Sequence, residues 1–262
     1  LLLATVMAFL AFSFCASAVY IVNDLLDLPA DRRHHRKRHR PFASGALSIR
    51  AGLAAVPLLL GAAMALGLAL PRLFLLVMLT YFLITSVYSF WLKKQVVVDV
   101  ILLAVLYSMR IIAGAAATQI KPSFWLLALS MFVFLGLALV KRYSEIRATA
   151  DPLQQVAGRG YVHADLAVIL ALGSSSGMVS VLILAMYTQS AIVPTMYPAA
   201  EWLWLTPLLM LYWTARLWMK TVRGEVDEDP VLFAARDWQS LTVALAMGGA
   251  FALAANGPVL WP

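Results

Sequence analysis

Charge and cysteine are scarce in this 262-residue sequence. Asp, Glu, Lys and Arg make up 13% of it and hydrophobic residues 63%, with a mean hydropathy of +0.85. That balance excludes a soluble globular domain and reads as a polytopic membrane protein. The one cysteine, Cys15, lies in an apolar run; it excludes an intramolecular disulfide and any cysteine-based metal cluster, and reads as a packing residue. Ala16-Ser17-Ala18 imitates a signal-peptidase site, but no basic segment precedes it and the aspartate motif follows too closely, so cleavage there is not expected. His34, His35 and His39 have neither cysteine nor ligand spacing beside them and stand in a loop full of cations, a poor zinc site. The net charge of +7 does not imply nucleic acid, because cytoplasmic loops of membrane proteins collect Lys and Arg.

Apolar runs of the length that spans a bilayer are abundant. Eight are expected, at approximately 1–28, 48–70, 72–92, 96–117, 123–141, 164–187, 201–220 and 237–256. The chain is therefore an all-α, polytopic membrane helical bundle, read as a single domain over 1–262. The long connections, 29–47, 142–163 and 221–236, fall on one side because an even number of spans separates them. That side holds 17 of the 20 Lys and Arg, which makes it cytoplasmic under the positive-inside rule. Tryptophans near span ends read as interfacial anchors, and glycines such as Gly136, Gly173 and Gly177 as sites of close helix contact.

Ionisable groups in or beside spans are functional candidates by default. The densest stretch is Asn23-Asp24-Leu25-Leu26-Asp27-Leu28-Pro29-Ala30-Asp31, followed at once by a basic loop with Arg32, His34, Lys37, Arg38 and Arg40. Asp24, Asp27 and Asp31 are spaced i, i+3, i+7, so on one helix they share a face and repel. A divalent cation, together with an anionic ligand that the basic loop also holds, is the expected neutraliser. A second group comprises Tyr88, Lys93, Asp99 and Arg110. Arg110 follows Asp99 by eleven residues, roughly 16 Å of helix, which puts it near mid-membrane. It calls for an acidic or phosphate partner, a water-filled cavity, or an ion pair to another helix. A third group is Lys141-Arg142-Tyr143-Ser144-Glu145. Cations there suit a helix C-terminus, and Lys141 with Glu145, i and i+4, can address an anion and a metal together. A fourth, Asp227-Glu228-Asp229-Pro230 with Arg236-Asp237, reads as a solvated loop in which Pro230 opens a short helix.

Asn23–Asp31 resembles the first signature of the UbiA superfamily of intramembrane prenyltransferases. Tyr88-Ser89, Leu92-Lys93, Asp99, Arg110 with Gly114, and Asp229-Pro230-Val231 with Asp237 follow in that family's order, over essentially the whole chain. Within the superfamily the sequence is most similar to the decaprenyl-phosphate phosphoribosyltransferase branch. Asp31, Arg32, His34, Lys37, Arg38, Arg40 and Pro41 match that branch after the aspartates, with His35 in place of its proline. Lys141, Arg142, Tyr143 and Glu145 match its Lys-Arg-Tyr-x-Glu, where ordinary prenyltransferases carry a second aspartate-rich motif.

The resemblance implies nine transmembrane helices, with the first missing here, and Mg2+ on Asp24, Asp27 and Asp31 as the catalytic and metal-holding residues. It implies substrate contacts from Asn23, the basic-loop residues named above, Tyr88, Lys93, Asp99, Arg110, the Lys141–Glu145 group, Asp229 and Asp237. The expected reaction displaces pyrophosphate from an activated donor, moving 5-phosphoribose from phosphoribosyl pyrophosphate to a polyprenyl phosphate. Exchanging carboxylates for Lys-Arg beside a Glu favours a donor with an additional phosphate. The alternatives are prenyl transfer from a polyprenyl diphosphate to an aromatic or isoprenoid acceptor, and, in another class, a membrane transporter. Expected partners are a lipid-borne acceptor, a diphosphate donor and membrane lipids, without nucleic acid. The expected location is the bacterial inner membrane, with the motif loops cytoplasmic.

Overall fold

A computed structural model describes residues 1–33, 37–149, 155–156, 158–226 and 229–259. His34, Asp227 and Glu228 lie outside them, and for Lys37 only the backbone is described. Among the described residues all regular structure is helical: α1 Leu2–Leu26, α2 Leu28–Arg33, α3 Ile49–Leu68, α4 Arg72–Phe90, α5 Val98–Thr118, α6 Phe124–Arg147, α7 Leu166–Thr188, α8 Val193–Met196, α9 Leu205–Arg223, α10 Pro230–Arg236 and α11 Trp238–Asn256, with 3₁₀ turns between. The eight apolar runs thus form the eight long helices. Seven of them are long and apolar enough to cross a membrane. The eighth expected span, at 201–220, corresponds to α9 and is not among the seven, because Arg216, Lys220 and Arg223 dilute its apolar character. A count of eight spans is therefore not established by length and composition.

Local chemistry sets the helix ends. Ser48 and Ser123 accept hydrogen bonds from the amides of Ala51 and Leu126, each at 3.1 Å, and open α3 and α6. Asp229 opens α10 by accepting from Val231 and Leu232, as the Asp-Pro pair foretells. Gly224, with φ +78°, closes α9 in the left-handed conformation.

The helices fall into two compact units. The first contains α1–α5 and the short segment carrying Arg159 and Gly160. Its core joins Phe12 and Cys15 of α1 to Phe74, Met78 and Tyr81 of α4, with the Phe12 and Tyr81 rings 4.4 Å apart. Cys15 is buried there, as its apolar setting implies. The second unit contains α6–α11. Small residues let its helices approach: a Cβ on Gly173 would stand 1.9 Å from the Trp218 ring, and the Ser176 hydroxyl donates to the Phe132 carbonyl at 2.7 Å. Large apolar side chains on the outward faces of both units stay exposed, as lipid-facing surfaces do.

Candidate functional site

Asp24, Asp27 and Asp31 do not lie on one continuous helix. α1 ends at Leu26, Asp27 is its C-cap, and α2 begins at Leu28. Pro29 is the cause: it has no N–H for a helix continuing from α1, and its ring clashes with the carbonyl four residues back. Asp24 thus sits on the last turn of α1, Asp27 at the joint and Asp31 on α2, where it is buried.

Cations are interleaved among these carboxylates. One terminal nitrogen of Arg40 donates to Asp24 Oδ1 at 3.0 Å and to Asp31 Oδ2 at 2.8 Å. Lys93 Nζ donates to Asp27 Oδ1 at 2.6 Å and to Asn23 Oδ1 at 3.3 Å. The like-charge repulsion expected from the spacing is therefore relieved by two cations that the sequence places 16 and 66 residues away. Arg32 and Arg38 are exposed, and Arg38 Nε reaches His39 Nε2 at 3.3 Å.

Lys93 is buried in the turn Leu92–Lys94 after α4, and Asp99 is fully buried on the first turn of α5. Between them the chain makes a γ-turn: Val98 N–H donates to the Val96 carbonyl at 2.8 Å, with Val97 at φ +69°. A β-branched residue at positive φ is strained by about 1–3 kcal/mol, and such strain persists only where the surroundings hold it. Arg159, from the next long connection, lies over this segment. Its Nη1 donates to the Tyr88 hydroxyl and to the Lys93 carbonyl, each at 3.0 Å, and its guanidinium faces the Tyr88 ring.

Deeper in the first unit, Arg110 meets phenols. It hydrogen-bonds Tyr81 and Tyr20 and stands 4.8 Å from the centroid of Tyr107. Tyr20 is one helical turn before Asp24, so this cation lies on the bilayer side of the carboxylates.

In the second unit Arg142 is fully buried, pairs with Glu145 and stacks over buried Tyr161, 5.2 Å from its centroid. The Tyr143 ring meets Trp218 edge-on at 6.1 Å. Glu145, three residues on, is the partner of Arg142 in this pair. Asp237 is held by both terminal nitrogens of Arg216 at 2.6 and 2.8 Å, and accepts from the Ser240 amide and hydroxyl at 2.9 and 2.8 Å, capping α11. Asp229 serves α10 as its cap. The sequence reading did not single out Arg159, Tyr20, Tyr81, Tyr161 or Arg216 as site residues. Arg216 offered a signal, being a charge within an apolar helix; Arg159 offered only its place between two glycines.

The fold and the placement of charge define a class: an integral membrane protein of α-helices whose acidic and basic side chains gather at helix ends. The chain belongs to the UbiA prenyltransferase family, matching that family over residues 1–242. It is 33% identical over 251 residues to nodulation protein NoeC of Azorhizobium caulinodans, covering 94% of this chain and 81% of that one. It is 35% identical to the uncharacterized protein y4nM of Sinorhizobium fredii, covering 96% of this chain and 49% of that one. To the decaprenyl-phosphate phosphoribosyltransferase of Mycobacterium tuberculosis it is 41% identical over 142 residues, covering 53% of this chain and 46% of that one. The chain thus spans about half the length of the last two. In fold it is similar to a UbiA homolog from Archaeoglobus fulgidus solved with DMAPP and Mg2+, with a TM-score of 0.70 at 18% identity, covering 95% of this chain and 87% of that one.

Proposed function

We propose that this chain transfers 5-phosphoribose from phosphoribosyl pyrophosphate to a polyprenyl phosphate at the cytoplasmic face of the bacterial inner membrane. The observation that carries the reading is the interleaving of Asp24, Asp27 and Asp31 with Arg40 and Lys93 at one helix end. A diphosphate and a divalent cation present that same alternation of charge. Two further facts favour phosphoribose over a prenyl group. By the resemblance, Lys141-Arg142-Tyr143-Ser144-Glu145 takes the place of the second aspartate-rich motif of ordinary prenyltransferases, and the mycobacterial relative is named for phosphoribosyl transfer.

The donor set fits magnesium. Three carboxylates offer the hard oxygen ligands it takes, and Asp24 and Asp31 already converge on one cationic nitrogen. Among the described residues no three acidic, histidine or cysteine side chains are gathered as a ready cage, since Arg40 and Lys93 stand between the carboxylates. Asp24, Asp27 and Asp31 would hold the ion, which when bound would offset the charge of the departing pyrophosphate.

Arg40 and Lys93 supply the protein's own positive charge to the diphosphate oxygens, and Asn23 orients beside Lys93. Arg110, with Tyr20 and Tyr81, offers donors one turn further into the membrane, suited to a second phosphate such as that of the acceptor. That phosphate is already a nucleophile: its oxygen forms the new bond to the anomeric carbon as the bond to pyrophosphate breaks, and no general base is required. The apolar surround keeps water from the ribosyl cation. In the second unit we assign Arg142, Tyr143 and Glu145 to an anion-holding group, and Asp229 and Asp237 to fixing the starts of α10 and α11.

Membranes carrying the protein, given labelled phosphoribosyl pyrophosphate and polyprenyl phosphate, are expected to form a labelled lipid in a magnesium-dependent manner. Asp24→Ala is expected to lower the rate on the order of 10²- to 10³-fold, the range for removing one electrostatic stabiliser. No labelled lipid, with turnover of a prenyl diphosphate instead, would sink the phosphoribosyl reading in favour of prenyl transfer. Transport without any transfer would sink both.

A further inference from the structure

We propose that Arg159 is a positioning residue, acting through Lys93 to set the charge that meets the donor's diphosphate. The inference rests on the reading of the carboxylate cluster given above. Three observations within the first unit carry it.

First, a single Arg159 nitrogen bridges the Tyr88 hydroxyl and the Lys93 carbonyl at 3.0 Å each, while its guanidinium lies 5.7 Å from the Tyr88 ring centroid. The Lys93 carbonyl belongs to a short 3₁₀ turn, whose final carbonyls have no helical partner. Arg159 satisfies it and ties it to α4 through Tyr88. Second, the other end of the same residue does the work: Lys93 Nζ holds Asp27 at 2.6 Å and Asn23 at 3.3 Å. A side chain as flexible as lysine keeps one geometry only if its backbone is fixed, so Arg159 determines where that ammonium stands. Third, the flanking glycines are required for the approach. Gly158 has φ +74°, and a Cβ on Gly160 would lie 2.7 Å from the Lys94 carbonyl oxygen and 3.0 Å from Val96. Arg159 and Gly160 therefore lie against Lys93, Lys94 and Val96, the residues that lead into the strained turn at Val97.

This role separates Arg159 from a loop cation that merely sets topology, because its guanidinium faces the segment beneath it. It separates it equally from a substrate ligand, because its Nη1 bonds both go to protein, to the Tyr88 hydroxyl and the Lys93 carbonyl.

The test uses the full chain in detergent. Amine acylation followed by mass spectrometry reports the exposure of each lysine, with Lys94 as the internal reference. Arg159→Ala is expected to raise Lys93 labelling several-fold relative to Lys94, to raise the donor KM about tenfold and to change kcat less. Arg159→Lys, which can satisfy one of the two acceptors, is expected to restore part of both. Gly160→Ala is expected to reproduce the Arg159→Ala labelling through backbone displacement alone. Folded Arg159→Ala with unchanged Lys93 labelling and unchanged KM overturns the proposal; so does labelling that rises equally at all lysines, the mark of general loosening. Should Arg159→Ala fail to fold, Arg159→Gln carries the same readouts. The labelling arm does not depend on which donor is turned over, so a failed phosphoribosyl assay leaves the role of Arg159 decided by it.

Discussion

Asp237 shows how much one residue can be asked to do. It closes on Arg216 through two hydrogen bonds, caps α11 through Ser240, and sits just outside the apolar segment that begins at Trp238. The Arg216 guanidinium holds its carboxyl well below the usual carboxylate range, with the Ser240 bonds adding to this against the opposing effect of burial. A folded pKa lower than the unfolded one means that the stabilisation is complete above the unfolded value of about 3.9 and is lost as pH falls through the folded value. Asp237→Asn is therefore expected to cost about 1–3 kcal/mol at neutral pH, the range for stranding a buried donor. It is also expected to flatten the decline in stability on the acid side, below about pH 4. Thermal unfolding in detergent between pH 3 and 7, a range of order a few units around that value, checks both parts.

At the same scale the sequence was legible where a charge stood out against apolar neighbours. Asp24, Asp27, Lys93 and Arg110 all declare themselves that way, because intramembrane charge is costly. Arg142 was a candidate through its motif, but a cation in the last turns of a helix is also explained by the helix dipole, and its complete burial against Glu145 and Tyr161 is visible only in the structure. Arg159 sits in a connection without periodicity, where nothing local marks a residue that bonds 66 and 71 positions away.

Element boundaries were largely written in the apolar runs, since a run long enough to span is also long enough to define its helix. The exception is instructive. The i, i+3, i+7 spacing treats Asn23–Asp31 as helix throughout, yet Pro29 divides it into α1 and α2, and the carboxylates end on two elements. Helix packing is less visible in sequence, because a glycine marks a close contact without naming its partner. Gly173 on α7 faces Trp218 of α9, with an added Cβ only 1.9–2.4 Å from two of the ring's atoms. Trp218 is buried and meets Tyr143 edge-on, so the ring has little room to retreat. Gly173→Ala is expected to destabilise the second unit by about 1–3 kcal/mol through overpacking. Gly177→Ala, whose Cβ would meet Thr214 at 3.2 Å, is expected to cost less. Comparing the two by thermal unfolding separates a rigid ring from a small side chain that can shift; an equal effect would speak against the α7–α9 contact as described.

Across the whole molecule the open question is whether α9 crosses the bilayer. Its 19 residues extend about 28 Å at 1.5 Å each, close to the thickness of the hydrocarbon core. Its hydropathy is reduced by charges confined to the stretch from Arg216 to Arg223, and each has an outlet. Arg216 is neutralised by Asp237, Lys220 pairs with Glu225 at 3.1 Å, and Arg223 lies at the end where it can reach the interface. The helix therefore has the means to span, and with it eight crossings return the chain so that all three long connections share one face. Cysteine labelling decides this, because the single native cysteine is buried and contributes little background. Ala46→Cys, Lys121→Cys, Thr195→Cys and Glu225→Cys each place a thiol at an exposed position in a different connection. With a membrane-impermeant maleimide applied to intact cells, Lys121→Cys and Thr195→Cys are expected to label from outside. Ala46→Cys and Glu225→Cys are expected to label only after the membrane is opened. If Thr195→Cys and Glu225→Cys label from the same side, α9 does not cross, and the connection at 221–236 does not share a face with the carboxylates, against the positive-inside count.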